Sequence, residues 1–143
     1  MKITLIEKQE VVTYLPLPFF ASSVPAGFPS PADDYIEAGL DLNEYLIKHP
    51  SATYFARACG ESMVERGIQN RALLIVDRSI QPRQDHVVIA VINGELTCKI
   101  LDIENKQLLA ANPAYEPVAL NEDIDFVIEG VVIHAINPLC TPW

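Results

Sequence analysis

No apolar run in this sequence reaches the ~20 residues that a membrane helix needs. The best N-terminal candidate, VVTYLPLPFFA at 11–21, is broken by Pro16 and Pro18. It also lacks the basic start and unbroken apolar centre of a secretory signal. The expectation is a cytoplasmic protein with no membrane contact. Cysteine is scarce too: Cys59, Cys98 and Cys140 stand far apart, with no C-x-x-C. That excludes a disulfide framework and fits a reducing compartment. The three histidines, His49, His86 and His134, are equally scattered. Without metal-ligand spacing, neither a metal nor another cofactor is expected. Basic residues are few, 10 Lys and Arg against 19 Asp and Glu, for a formal net charge of −9. Residues 1–26 carry two lysines and two glutamates, so the whole excess belongs to residues 27–143. A chain that grips nucleic acid neutralises phosphates from a basic face. This body repels DNA on average, so no strong nucleic-acid binding is expected and protein partners are.

What is present is a core. Half of the 143 residues are hydrophobic and 20% are charged, enough for one compact domain and unlike a disordered chain. Proline is concentrated, with five residues between Pro16 and Pro31. In SSVPAGFPSP (22–31), the small pair Ala26-Gly27 lies between prolines that fix φ and keep the segment extended. Residues 1–40 therefore read as an extended arm and 41–143 as the folded domain. The domain opens with DLNEYLIKH, where Asp41 is a good helix N-cap with Glu44 three residues on. Leu42, Tyr45 and Leu46 share one helical face, so a short helix is expected. From Thr53 the pattern is strands: ALLIVD (72–77), HVVIAVI (86–92), ELTCKIL (95–101), QLLAA (107–111) and DFVIEGVVIHAI (125–136). Asn93-Gly94 between two of them is a two-residue hairpin signal, and Asn112-Pro113 marks another turn. No long second helix could form βαβ crossovers. The fold class is mostly β, closed or folded over on itself, with one short helix and an N-terminal arm.

Two stretches could carry chemistry. In CGESMVERGI (59–68), Ser62 sits where a short helical turn begins, which leaves the N–H groups of Glu61 and Ser62 free to face an oxyanion. In GELTCKIL (94–101), strand alternation puts Glu95, Thr97 and Lys99 on one side and Leu96, Cys98 and Ile100 on the other. A serine hydroxyl needs a base, and lysine serves only when neutral. At its free pKa of about 10.4, only about one lysine in a thousand is neutral near pH 7.4. Apolar burial lowers that pKa by up to about 3–5 units, which makes a Ser62–Lys99 dyad workable. The ordinary alternatives are a turn serine and a solvated strand lysine, and spacing alone does not choose between them. Cys59 with His86 or His134 is the other nucleophile–base combination.

GFPSPADDY (27–35), HPSATYFARACGESM (49–63), LLIVD (73–77) and GELTCK (94–99), taken together and in this order, resemble the self-cleaving S24 peptidases. These are the family of the LexA repressor and its SOS-mutagenesis relative UmuD. The likeness runs from about Gly27 to Ile136. It implies the LexA-like C-terminal peptidase fold, Ser62 of G-x-S-M as nucleophile and Lys99 of G-E-x-T-x-K as general base. It also implies a cut between a small residue and glycine just upstream of F-P-S-P, which here is Ala26–Gly27. The 35 residues between Ala26 and Ser62 span up to roughly 100 Å when extended, so cleavage within one chain or on a partner's arm is geometrically open.

By the same resemblance the protein is a self-cleaving serine protease of the SOS response. Its shortened form, residues 27–143, would serve as accessory subunit of an error-prone translesion polymerase. The implied partners are a second copy in a homodimer, RecA on single-stranded DNA as stimulator, and a UmuC-type Y-family polymerase. The valine-rich stretch 127–136 is the candidate dimer edge. Competing readings are a LexA-type repressor fragment, which needs a helix-turn-helix ahead of the cut, and a non-catalytic β-rich interaction module. A membrane signal peptidase uses a similar dyad but needs an anchor. The pattern departs at Arg71-Ala72, where relatives often have Gly-Asp, so that turn is expected to differ. The first 20 residues and the terminal NPLCTPW resemble nothing in the family.

Overall fold

Asn93 and Gly94 adopt left-handed φ angles of 49° and 82°, the pair that a type I′ hairpin demands. They join β6 (Val87–Ile92) to β7 (Glu95–Asp102) in a register that runs from Ile92↔Glu95 to Val87↔Ile100. The computed structural model describes residues 1–6, 14–20 and 36–140. Within it the chain forms two units, Met1–Lys8 with His49–Trp143, and Gln9–Lys48.

In the larger unit the sheet is built from β1 (Lys2–Ile6), β4 (Thr53–Cys59), β5 (Leu73–Asp77), β6, β7, β8 (Gln107–Leu109), β9 (Val118–Ala119) and β10 (Phe126–Ile136). Its order is β1-β4-β5-β10-β6-β7-β8-β9, and β1 also pairs with β7 at Lys2↔Thr97. That last pairing closes six strands into a ring, as in a small barrel. The mostly-β expectation therefore holds. Both faces of the central strands are covered. Ile89, Cys98 and Ile100 join a cluster with Ala56, Met63, Leu74 and Val76, while Val88, Ala90, Leu101, Leu108 and Val131 form another.

β10 departs from the expectation of an edge. It pairs with β6 over Phe126–Val131 and with β5 over Val131–Ile136, so the 127–136 stretch lies in the middle of the sheet order. Its register shifts between Ile128 and Gly130, and Gly130 has φ 150°. A Cβ there would stand 2.6 Å from Val76 Cγ1, so glycine is what lets the strand bend against β5 and change partner. The turn before β5 carries Arg71-Ala72. Arg71 takes a left-handed φ of 73°, and the turn docks on β4 through Arg71 N–H to the Ala58 carbonyl and Ala58 N–H to the Ala72 carbonyl.

The smaller unit holds the β2 (Leu17–Phe20) and β3 (Ile36–Leu40) pair and α1 (Leu42–Leu46). Asp41 is the N-cap of α1: its Oδ2 accepts from Glu44 N at 2.9 Å, while Oδ1 accepts from Leu15 N at 2.8 Å. The helix follows from that cap. Its apolar face does not sink into a core, since Leu42 and Tyr45 are exposed.

Candidate active site

β4 ends at Cys59, and Gly60, with φ 105°, turns the chain. Asn70 Oδ1 holds that corner by accepting from Gly60 N at 2.8 Å. A single 3-10 turn, Val64–Arg66, follows, and Gly67 stops it in the left-handed conformation. Met63, fully buried, pins the loop to the core. The stretch 111–112 clamps it from the other side. Ala111 N donates to the Ser62 carbonyl at 2.8 Å, Glu65 N to the Ala111 carbonyl at 2.9 Å, and Asn112 Nδ2 to the Glu61 carbonyl at 2.9 Å.

Ser62 is thereby fixed with 1% of its surface exposed, and its Oγ has no hydrogen-bond partner. A buried hydroxyl left unpaired costs about 1–3 kcal/mol, which a fold retains only where that group has other work. The N–H groups of Glu61 and Ser62 donate to no acceptor among the described residues.

Lys99 lies in mid-strand on β7, opposite Val88 of β6, with 8% exposure. Alternation suggested a polar face for Glu95, Thr97 and Lys99, yet only Glu95 is exposed. Among the described residues no carboxylate pairs with the Lys99 amine, which sits 5.9 Å from the centre of the Tyr115 ring. Burial pulls its pKa below that of free lysine. Neighbouring Cys98 opposes this only as a thiolate, and burial pushes the Cys98 thiol up to about 12, so it stays neutral. Beside Lys99 opens a cleft of about 370 Å³, lined among others by Met1, Thr97 and Val118.

Ser62 and Lys99 are thus both buried, and both are served by one segment. Ala111 and Asn112 hold the serine loop, and Tyr115, whose N–H donates to the Asn112 carbonyl, covers the amine. No hydrogen bond joins the two side chains. The roles of Ala111, Asn112 and Tyr115 were not evident from the sequence; Asn112-Pro113 signalled a turn and nothing about what that turn would clamp. Ala26 and Gly27 lie outside the described residues.

The alternative nucleophile gains nothing. Cys59 is exposed, and His86 Nδ1 is taken by the Arg83 N–H at 3.1 Å in its own turn. His134 is exposed on β10 opposite Ile75. One acid–histidine contact was missed from sequence: His49 Nδ1 lies 2.6 Å from Asp77 Oδ2, and the Ser79 hydroxyl donates to Asp77 Oδ1 at 2.6 Å. The carboxylate stands between the serine and the histidine there, so the imidazole has no serine proton to take. Burial raises the Asp77 pKa, but the bonds from Ser79 and His49 outweigh it and hold the carboxyl below its ordinary range. Among the described residues no group of three or more His, Cys, Asp or Glu could hold a metal ion. No described helix is long and apolar enough to cross a membrane.

Residues 18–133 match the family model described as Peptidase S24-like. The chain is 48% identical to Protein ImpA of Salmonella typhimurium over 126 residues, covering 84% of this chain and 83% of that protein. It is 36% identical to Protein MucA of Escherichia coli over 144 residues, covering 98% and 99%. With the LexA repressor of Pseudomonas chlororaphis it shares 37% over 117 residues, 80% of this chain but 57% of the repressor.

Proposed function

The chain belongs to the Peptidase S24-like family, and from that premise we propose that it is a self-cleaving serine peptidase of the SOS response that cuts its own arm at Ala26–Gly27. In this reading neutral Lys99 Nζ takes the Ser62 proton as Oγ attacks the Ala26 carbonyl. The N–H groups of Glu61 and Ser62 receive the oxyanion. The C–N bond breaks, Lys99 returns the proton to the departing Gly27 amine, and Ala26 remains as an ester on Ser62. Water, deprotonated by Lys99, releases it. The observation that carries this reading is the buried, unpartnered Ser62 hydroxyl in a loop held by the same segment that covers Lys99.

In this reading cleavage leaves residues 27–143 to serve as a dimeric accessory subunit of a UmuC-type Y-family polymerase. RecA on single-stranded DNA acts as stimulator if it binds preferentially the state in which the arm is seated and Lys99 is desolvated. The similarity to MucA, which covers 98% of this chain and 99% of that protein, favours this reading over a DNA-binding repressor.

Intact mass spectrometry tests the activity and the bond together. Incubation with RecA, ATP and single-stranded DNA removes residues 1–26 from the native chain and nothing from Ser62→Ala. A Ser62→Ala chain that still yields 27–143 would mean another nucleophile, and a native chain that never shortens would mean a non-catalytic module.

A further inference from the structure

Strand β1 is joined to the rest of its sheet in an unusual way. It pairs with β4 from Lys2↔Cys59 to Ile6↔Phe55, and among the described strands it alone bridges β4 to β7, through Lys2↔Thr97. The Met1 backbone nitrogen donates to Thr97 Oγ1 at 3.2 Å. Without β1, β4 keeps one neighbour, β5. β7 keeps β6, and β8 along Ile100–Asp102 only. The ring would open between β4 and the first half of β7, whose residues Glu95, Thr97 and Lys99 line the cleft.

The strand's hold is small. Met1 and Ile3 pack against the core, half-buried, whereas Lys2 and Thr4 are exposed and Leu5 is 56% exposed. A five-residue strand with two apolar anchors stays docked because it is tethered; released from the chain, it pays the full entropy of association. A cut at Ala26–Gly27 severs the covalent tether, since β1 lies on the amino side; the fragment then holds on only through β1 and through β2, which pairs with β3 over Leu17–Phe20.

We propose that β1 is a detachable cover, and that the β4–β7 edge beneath it is a docking site for an extended segment of a partner protein, opened when the chain is cut. This rests on the cleavage reading above. The occupant is defined by what β1 supplies. It runs antiparallel to Phe55–Cys59, places apolar side chains at the Met1 and Ile3 positions, and carries a cation at the Lys2 position, where the cleft is also lined by Glu95. A basic segment also suits a body whose net charge of −9 lies wholly in residues 27–143. Main-chain pairing gives such a site its affinity and the alternate side-chain positions its selectivity.

The probe is a fluorescent peptide of residues 1–7, MKITLIE, titrated into the full-length chain. Ile3→Asp removes one anchor of β1, and Thr4→Pro removes a backbone donor, so each variant frees the edge by a different route. Expected is saturable binding to either variant at least tenfold tighter than to the native chain, and none by a peptide that itself carries Ile3→Asp. Equal binding to native and variant chains, or none to a variant whose melting curve shows it folded, overturns the proposal. A variant that doubles in mass on its own, reversed by the peptide, assigns the edge to a second copy and overturns the partner assignment. After self-cleavage, size-exclusion chromatography separates residues 1–26 from 27–143 and β4 amides exchange faster; retention of the fragment overturns detachment. If the chain is never cut, the cleavage reading fails and detachment by cleavage with it, while the peptide titration still decides the docking edge.

Discussion

Lys99 is a lysine with 8% of its surface exposed, beside an open cleft, and among the described residues no carboxylate pairs with its amine. Stability alone does not select such a residue, because a buried cation without a partner is unfavourable. Lys99→Met keeps the length and apolar stem while removing the charge. It is expected to stabilise the fold by about 1 kcal/mol, seen as a higher melting temperature, while self-cleavage falls to background. A drop in melting temperature would mean that the amine is satisfied and structural. The pH dependence follows from the same burial. Folding lowers the pKa of Lys99, so the folded chain sheds this proton at a lower pH than the unfolded chain does. Self-cleavage without a stimulator should therefore climb from pH 7 and level off below the ~10.4 of free lysine. A rate flat from pH 7 to 10 would falsify lysine as the base. The residue types of the proposed dyad were legible in the sequence. The burial of Lys99 was not, because strand alternation put it on a polar face, and only the packing of segment 111–115 and its neighbours shows that both faces of β7 are covered.

At the scale of elements, local chemistry was the better guide. Asp41 capping Glu44, and Asn93-Gly94 making a two-residue hairpin, are decided within four residues of chain, and both are present as read. The exposed apolar face of α1 was beyond such reasoning, since a helix pattern says which side chains align and not what meets them. Within β10, the change of partner from β6 to β5 depends on Gly130. Gly130→Ala brings a Cβ to 2.6 Å from Val76 Cγ1 in a backbone conformation that side chains avoid. The expected cost is about 1–3 kcal/mol, measured as a lower urea midpoint with an unchanged m-value. An unchanged midpoint would mean that the β10 bend is soft and Val76 yields.

For the whole molecule, charge sets the partner class. With −9 confined to residues 27–143, the chain is expected to shift no duplex DNA in a gel at 150 mM salt, before or after loss of the arm; a salt-sensitive shift would restore the repressor reading. The sequence by itself determined the strand content, the hairpin, the helix cap and the two chemical groups, because each depends on neighbours a few residues away. Only the tertiary structure decided that β1 closes a ring, that β10 lies inside the sheet, and that segment 111–115 serves both Ser62 and Lys99. Those are pairings between residues tens of positions apart, and no local pattern encodes which strand edge a distant segment will find.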